Sequence, residues 1–339
     1  MIIIEFYDGQ GLGNQLWVYV VMRALAKKLN MPFIVLSHER FKAKYFLDID
    51  YGKIEEAKEV LEKIEENKIS YFKELMYLDM DLDCFMVDYD SSILNIKPYT
   101  KIDGYFQSEK YFFDGKEFFK SFIAIKSNLL NENFVAKGTC VLNIRGGEEY
   151  KNNINLILPK SYWNNAMDYM KQKFNIENFA IVTDDQEYCK ELFPDIKIIK
   201  SGIAESYTAL HQASYLIVSN SSFSYFPIKT KKEKPFVIAP MYWSRFDNKF
   251  KRWSSPANLY QDWTWLDGDG NLFTYDECLC RYKENINYYN TTYNVRVQDN
   301  ITESFNLFSI KKYIPKSFKD TLKKVLPYNF VKEISRNFK

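Results

Sequence analysis

The sequence predicts an α/β protein in which two doubly wound halves face a cleft. Short apolar runs alternate with amphipathic segments over residues 2–36, and the same alternation returns over residues 141–238. A glycine-rich turn separates the first apolar run from the segment that follows it. Buried strands that alternate with amphipathic helices form parallel sheets covered on both faces, so we expect one such sheet in each half.

The first half begins with the pattern of a βαβ unit. Residues 2–6 predict a buried strand, residues 8–13 form the glycine-rich turn, and Asn14 is placed to cap a helix. A second buried strand is expected at residues 33–36. Residues 54–75 are rich in charge and have apolar residues at helical spacing, which predicts a further helix.

The second half continues the alternation. Helices are expected between the strands, and the last of them starts at Asn220. The predicted strands are residues 141–144, 179–182, 196–199, 215–218 and 236–238. From these two halves we expect a first domain at residues 1–135, a second domain at residues 136–305 and a basic amphipathic helical extension at residues 306–339.

The composition excludes several classes of protein. Hydrophobic residues make up 46% and charged residues 27% of the 339 residues, as in an ordinary soluble globular protein. Only two histidines are present, so a histidine triad or a multi-histidine metal site is nearly excluded. The five cysteines form no CxxC pair and the N-terminus has no signal-peptide pattern, so we expect reduced thiols in a cytoplasmic protein.

Positive charge is concentrated at the C-terminal end. Residues 311–339 contain nine basic and two acidic residues, although the whole chain has a net charge of only +2. Apolar residues recur there at helical spacing, and a basic amphipathic helix is typical of binding to a membrane face. The alternative is a helix docked on the protein with its lysines in solvent. The remainder of the chain is net acidic, which argues against nucleic-acid binding.

Two strand ends carry residues suited to a nucleotide. The segment NIRGGE at residues 143–148 places Arg145 after a predicted strand, where ligands bind in open α/β sheets. An arginine there can clamp a pyrophosphate, or it can form a surface ion pair with a nearby glutamate. The segment TDD at residues 183–185 offers Asp184 and Asp185 to a base or ribose, although Asp185 is also suited to cap a helix.

The serine-rich segment SNSSFS at residues 219–224 is the strongest motif. It places four hydroxyls and one amide at a predicted helix N-terminus, which is an anion site, whereas capping alone needs one such side chain. The glycine-rich turn is less specific, because Asn14 stands where the dinucleotide fingerprint needs its third glycine. The turn is either a tight βα connection or a place where N–H groups and Asn14 face an oxygen-rich ligand.

Taken in order, these segments resemble the signatures of bacterial α-1,2-fucosyltransferases. The segment GLGNQL at residues 11–16 looks like their N-terminal signature, and DGYFQS at residues 103–108 looks like their central one. NIRGGE, TDD and the serine-rich segment match three further blocks. The closing block is matched by VIAP at residues 237–240, Trp243, NLY at residues 258–260 and Trp263.

The resemblance implies an inverting, metal-independent glycosyltransferase of GT-B type, with two Rossmann-like domains, on the acceptor side at residues 1–135 and on the donor side at residues 136–305. Its donor is then a GDP-sugar, most often GDP-fucose, and its acceptor is a hydroxyl of a surface glycan that can be lipid-linked. No further cofactor is implied. The acceptor-side residues of the first domain are Tyr105, Phe106 and Gln107. The implied donor-binding residues are Gly11, Gly13, Asn14, Gln15, Asp184, Asp185, Asn220, Ser221, Ser222 and Ser224.

The arginine motif departs from the family pattern. The family usually has HxRRGD, whereas NIRGGE lacks the histidine and the second arginine. Arg145 is implied to contact the donor diphosphate. Without the histidine, a catalytic base has to be a carboxylate, and Glu148 and Asp8 are the candidates. The departure leaves open fucose, another GDP-linked deoxy sugar or a heptose, and also a non-catalytic relative that only binds carbohydrate or nucleotide.

Overall fold

The computed structural model describes residues 1–292 except for residues 80, 83, 114, 116, 117, 200, 201 and 254–257. The predicted extension at residues 306–339 therefore lies outside the described residues. Within the described part, two parallel sheets share one large hydrophobic core. None of the helices described there is both long and apolar enough to cross a bilayer.

The first half holds a four-stranded parallel sheet and two short antiparallel pairs. Its elements are β1 Ile2–Glu5, α1 Leu12–Leu29, β2 Phe33–Leu36, β3 Leu47–Asp48, α2 Ala57–Glu65, β4 Ser70–Lys73, β5 Met76–Asp79, β6 Cys84–Val87, β7 Thr100–Asp103, β8 Ala124–Ile125 and α3 Ser127–Leu130. The parallel sheet has the order β2-β1-β7-β4. The antiparallel pairs are β3 with β8 and β5 with β6.

Helix α1 is buried on nearly all sides between the first sheet and the second half of the chain. Such all-round burial fits its sequence, because apolar residues occupy every face between Leu16 and Met22. The predicted cap at Asn14 is wrong, since the N-cap is Gly11 and Asn14 lies in the first turn. The helix ends where Asn30 adopts the left-handed conformation.

The predicted helix over residues 54–75 is wrong in its C-terminal part. Helix α2 ends at Glu65, and Asn67 takes a positive φ of 58° that turns the chain. Strand β4 then pairs in parallel with β7, and Phe72 lies opposite Ile102. Pairing with a strand about thirty residues away therefore overrides the helical spacing.

The second half holds a seven-stranded sheet. Its elements are β9 Thr139–Ile144, α4 Glu148–Lys151, α5 Lys160–Phe174, β10 Asn178–Thr183, α6 Gln186–Leu192, β11 Lys197–Ile198, α7 Ile203–Gln212, β12 Tyr215–Val218, α8 Tyr225–Lys229, β13 Phe236–Pro240, β14 Thr264–Leu266, β15 Leu272–Phe273 and α9 Tyr275–Thr292. The helix expected from Asn220 starts later, as a 3₁₀ turn at Ser222–Ser224 followed by α8.

The second sheet has the Rossmann strand order. The strands follow as β11-β10-β9-β12-β13-β14-β15, and all neighbours are parallel except β14 and β15. In chain order the six parallel strands are therefore 3-2-1-4-5-6, and the order reverses between β9 and β12. The predicted α/β fold with two Rossmann-like sheets is confirmed. The domain boundary near residue 135 stays a prediction.

Aromatic side chains fill the space between the two halves. The ring of Trp17 on α1 lies 4.3 Å from Tyr225, 5.1 Å from Phe226 and 5.7 Å from Tyr260, measured between centroids. It also stacks on Phe112 of the first half at 5.5 Å. Aromatic rings bury large apolar areas, so this cluster accounts for part of the 17% aromatic content.

Candidate functional site

The candidate site lies where the strand order of the second sheet reverses. Arg145 directly follows β9, and the serine-rich segment directly follows β12. These two strands are neighbours, with Asn143 paired opposite Val218. Ligands of doubly wound sheets bind in the crevice outside the carboxyl ends of strands at such a reversal. The fold therefore brings the two predicted anion-binding segments to one edge.

The guanidinium of Arg145 is held by two carboxylates and a ring. Its Nε lies 3.3 Å from Oδ2 of Asp184, and its Nη2 lies 3.6 Å from Oε2 of Glu149. The guanidinium carbon stands 5.2 Å from the centroid of the Tyr150 ring. The predicted ion pair with a nearby glutamate is thus present. The side chain keeps about a quarter of its surface exposed, so it remains accessible at the strand end.

The two glycines after Arg145 serve packing rather than open space for a ligand. A Cβ on Gly146 would stand 2.3 Å from the ring of Tyr188, and one on Gly147 would stand 2.5 Å from Oδ2 of Asp184. The Gly146 N–H donates to Oδ1 of Asp184 at 3.0 Å. Asp184 therefore braces the turn that carries Arg145.

Asp185 acts as a helix cap, which was one of its two predicted roles. Its carboxylate accepts the N–H of Tyr188 at 3.0 Å at the start of α6. It also pairs with Lys151 at 2.5 Å, and these contacts hold its pKa below the usual range. The capping role is thus present, and the contact of Asp185 with a donor base or ribose stays a prediction.

Two hydroxyls of the serine-rich segment shape its own turn. The Ser221 hydroxyl accepts the N–H of Phe223 at 3.3 Å. The Ser224 hydroxyl is fully buried and donates to the Ser221 carbonyl at 2.9 Å. The donor-binding roles of Ser221 and Ser224 stay predictions. Their bonds fix the backbone of the turn.

Three other polar side chains at the same strand ends each have a buried oxygen without a hydrogen-bond partner. Within the described part of the chain, the Oδ1 atoms of Asn143 and Asn220 and the Oγ of Ser219 make no hydrogen bond. The three residues are 2%, 6% and 1% exposed, respectively. Buried polar groups are normally paired, so unpaired oxygens gathered at one place point to a ligand. Asn143 and Ser219 lie in the predicted motifs, but neither was among the named donor-binding residues.

Asn14 connects the two halves of the chain. Its Oδ1 accepts hydrogen bonds from Ser222 Oγ and from Gln107 Nε2, both at 2.8 Å. Gln107 Oε1 in turn accepts from Asn258 Nδ2 at 3.0 Å. A Cβ on Gly13 would lie 2.4 Å from the Ser222 carbonyl carbon, so only glycine fits at this crossing. Segments far apart in sequence thus meet in one hydrogen-bonded network.

Two predicted site residues are buried in structural roles. Gln15 is fully buried, and its amide binds the Arg40 carbonyl and the Lys42 N–H, both at 3.0 Å. The Phe106 ring is also fully buried and packs against Tyr111 at 5.4 Å. Direct contact with substrate does not fit either side chain. Tyr105 is half-buried beside them, and burial and the charge of Glu149 raise its pKa to about 12.

The two candidate bases are exposed to solvent. Asp8 has 83% of its side chain exposed and lies 3.5 Å from Arg40. Glu148 is exposed at the first residue of α4, three positions after Arg145. Gly11 is exposed as the N-cap of α1. These positions leave the roles of Glu148 and Asp8 as predictions.

A buried carboxylate at the end of β4 was missed by the sequence reasoning. Glu74 is 5% exposed, and its Oε2 accepts the N–H groups of Tyr105 at 2.7 Å and Phe106 at 2.8 Å. Burial raises its pKa to about 8. Glu74 was missed because the sequence predicts a charged helix over residues 54–75, and a glutamate on such a helix is expected to be exposed.

Comparison with known proteins finds a curated relative that matches part of the chain. No protein-family model matches the sequence. An α-1,2-colitosyltransferase of Escherichia coli is 29% identical over 167 residues, which cover 44% of this chain and 58% of that protein. The chain thus matches less than two thirds of the length of this curated relative. The similarity confirms that the chain resembles α-1,2-glycosyltransferases.

Two kinds of solved structure also align. A structure of POFUT1 in complex with GDP-fucose has a TM-score of 0.45 at 10% identity, over 70% of this chain and 97% of that one. The NodZ α-1,6-fucosyltransferase soaked with GDP-fucose has a TM-score of 0.37 at 12% identity, over 68% of this chain and 92% of that one.

Proposed function

We propose that this protein is an inverting glycosyltransferase that moves a deoxy sugar from a GDP-linked donor to a hydroxyl of a surface glycan. Fucose is the first candidate for this sugar. The observation that carries the proposal is the set of unpaired polar atoms beside Arg145 at the strand reversal of the second sheet. The similarity to a colitosyltransferase supports the class of reaction.

The donor diphosphate gains negative charge as the sugar departs. Arg145 is the cation at the strand end, and its ion pairs with Asp184 and Glu149 fix its guanidinium before the donor binds. Charges that are oriented in advance stabilise a transition state more than charges that must reorganise. The Ser219 hydroxyl supplies a further hydrogen bond at the same edge. Glu148 or Asp8 would take the proton from the acceptor.

Colitose is a second candidate for the transferred sugar, because the curated relative is named for it. A transfer assay with GDP-fucose and with the corresponding nucleotide-linked colitose separates the two candidates. Product from only one donor assigns the sugar.

A screen of nucleotides tests the class of donor. Thermal unfolding is followed with GDP, UDP, CMP and dTDP and with sugars linked to each of them. We expect stabilisation by the guanine nucleotides and slow hydrolysis of the matching GDP-sugar. A preference for another nucleotide would overturn the assignment of the donor, and binding without turnover would favour a non-catalytic relative.

Substitution of Arg145 tests its role in catalysis. Arg145→Ala is expected to lower kcat/KM by about 10²- to 10³-fold, the usual effect of losing one such charge-stabilising group. Arg281→Ala is the control, because it removes an exposed arginine that binds Tyr242 instead. Equal transfer rates for Arg145→Ala and the native protein would show that the role is wrong.

The proposed contact with the cytoplasmic membrane concerns residues 306–339. Flotation with anionic liposomes compares the full chain with a chain that ends at residue 310. Weaker binding by the shorter chain supports a lipid-linked acceptor at the membrane face, and equal binding removes this part of the proposal.

A further inference from the structure

Glu74 holds the loop that follows β7. Its Oε2 accepts two successive backbone N–H groups of that loop, and its Oε1 accepts the Tyr111 hydroxyl at 3.4 Å. The Glu74 N–H donates to the Asp103 carbonyl at 2.9 Å, so the side chain and the backbone of Glu74 bind the same turn. A Cβ on Gly104 would stand 2.5 Å from the Cβ of Glu74, so the loop also packs directly on this residue.

The hydrogen bonds to Glu74 fix an uncommon backbone conformation at Phe106. Its φ is +50°, which a residue with a bulky side chain rarely adopts without outside support. The N–H bond to Glu74 and the packing of the ring on Tyr111 supply that support. The direction in which the chain leaves Phe106 sets the position of Gln107.

Gln107 contacts the donor side of the cleft through Asn14. The Nε2 of Gln107 and the hydroxyl of Ser222 bind the same oxygen of Asn14, each at 2.8 Å. Displacement of Gln107 therefore changes the bonding of the oxygen that holds Ser222. The chain of contacts runs from Glu74 through the loop to the serine-rich segment.

We propose that Glu74 is a positioning residue that places Gln107, and through it Asn14 and Ser222, for binding of the nucleotide donor. This inference rests on the function proposed above. The side chain of Glu74 acts through the backbone of the loop and does not itself touch the donor.

A double-mutant cycle tests the proposal, with GDP as the probe and calorimetric titration as the measurement. Glu74→Ala and Gln107→Ala are each expected to weaken GDP binding about tenfold, and the double variant to weaken it no further, because both changes remove one chain of contacts. Glu74→Gln keeps an oxygen for the two N–H groups and is expected to bind GDP within about threefold of the native protein. Additive losses, or no loss in Glu74→Ala, would overturn the proposal.

Asp79 provides a matched control. It is fully buried and also accepts two backbone N–H groups, from Asp81 and Leu82, and one tyrosine hydroxyl, from Tyr289. Asp79→Ala, which truncates a buried carboxylate as Glu74→Ala does, is expected to bind GDP like the native protein. A tenfold loss in this variant as well would mean that general destabilisation explains the effect.

Amide hydrogen exchange separates failure of this inference from failure of the proposed function. The amides of Tyr105 and Phe106 are expected to exchange at least tenfold faster in Glu74→Ala, whether or not GDP binds. If the native protein does not bind GDP, the proposed function fails and the inference fails with it. If GDP binds and these amides stay protected in Glu74→Ala, only the role of Glu74 is wrong.

Discussion

The polar residues around Arg145 differ in whether their hydrogen bonds are made within the fold. Asp184 and Asp185 have their hydrogen bonds made within the fold, whereas Asn143 and Ser219 have buried oxygens without partners in the described residues. An unsatisfied buried polar group costs about 1–3 kcal/mol. A ligand that bonds to these oxygens recovers this free energy on binding. The charged side chains of the site are therefore held by partners in the fold, whereas some of its neutral polar groups still lack a hydrogen-bond partner.

Addition of one Cβ atom at Gly13 is expected to destabilise the protein. A Cβ there would meet the backbone of Ser222 at 2.4 Å, and a backbone segment cannot move aside as the end of a side chain can. Gly13→Ala is expected to lower the free energy of unfolding by about 1–3 kcal/mol, as overpacking does. Urea denaturation measures it. Gly11→Ser is the control, because nothing lies within 4 Å of a Cβ at that position, and it should change stability by less than about 0.5 kcal/mol.

Glu74 gives a prediction for the dependence of stability on pH. Burial raises the folded pKa of Glu74 to about 8 from an ordinary value of 4.5. The N–H groups of Phe106 and Tyr105 and the Tyr111 hydroxyl oppose this shift, and the charge of Asp88 adds to it. The folded state therefore binds this proton more tightly than the unfolded state does. The stabilisation is complete below about pH 4.5 and is lost as the pH rises through 8.

Thermal unfolding between pH 5 and pH 9 in roughly one-unit steps tests this prediction. The native melting temperature is expected to fall more steeply with rising pH than that of Glu74→Gln, which has no proton to lose. Parallel curves for the two proteins would show that Glu74 titrates near its ordinary value.

At the scale of secondary-structure elements, the parallel strands with continuous apolar runs were predictable, whereas the parallel strand β4 was not. Runs such as residues 215–218 are fully apolar and short, so their sequence alone indicates buried strands. The segment at residues 70–73 alternates in burial and becomes a strand only because β7 pairs with it. A helical spacing over residues 54–64 could not reveal that partner.

The candidate site follows the same division. Arg145 and the serine-rich segment follow apolar strands directly, so their positions at strand ends were predictable. Asn14 bonds to Gln107, which lies 93 positions away in the sequence, and to Ser222, which lies 208 positions away. No local sequence pattern specifies such bonds. Burial of Gln15 and Phe106 likewise depends on the packing of distant segments. Motif order therefore located the site, but it could not say which side chains face it.

Glu109 ties helix α8 to the first half of the chain. Its side chain is 9% exposed and binds Lys229 at 2.9 Å, the Tyr225 hydroxyl at 2.7 Å and the Gln261 N–H at 2.9 Å. Removing one partner of a buried ion pair costs about 3–5 kcal/mol, because the other charge stays buried. Glu109→Ala is expected to lower stability by this amount.

The control for Glu109 is Glu59→Ala, which breaks an exposed pair with Lys63 on α2. An exposed pair of this kind contributes about 0.5 kcal/mol or less. Chemical denaturation of both variants measures the difference. Equal losses in the free energy of unfolding would show that the contacts of Glu109 stabilise the protein no more than an exposed ion pair does.

At the scale of the whole molecule, the two sheets share a core instead of meeting at a polar interface. One cluster of buried side chains joins residues of β1 and α1 with residues of β9, β12, α8 and β14. Domains that move independently usually meet through smaller and more polar surfaces. Each half of this protein therefore buries apolar surface against the other half.

This shared core predicts that the two halves unfold together. Trp17 is fully buried, and its ring contacts Tyr225, Phe226 and Tyr260 of the second half. A fragment of residues 1–135 would expose this face of α1 and is expected not to fold. Calorimetry of the full chain is expected to show one transition for the described residues, with equal calorimetric and van't Hoff enthalpies.

The fragment offers a direct measurement, because Trp17 is the one tryptophan in residues 1–135. Its fluorescence emission is expected to match that of the urea-unfolded fragment, and its near-ultraviolet circular dichroism to be flat. A blue-shifted emission with a cooperative urea transition would contradict the prediction. The two sheets would then be separable folding units, and the aromatic contacts of α1 would add affinity between them without being needed to form the first sheet.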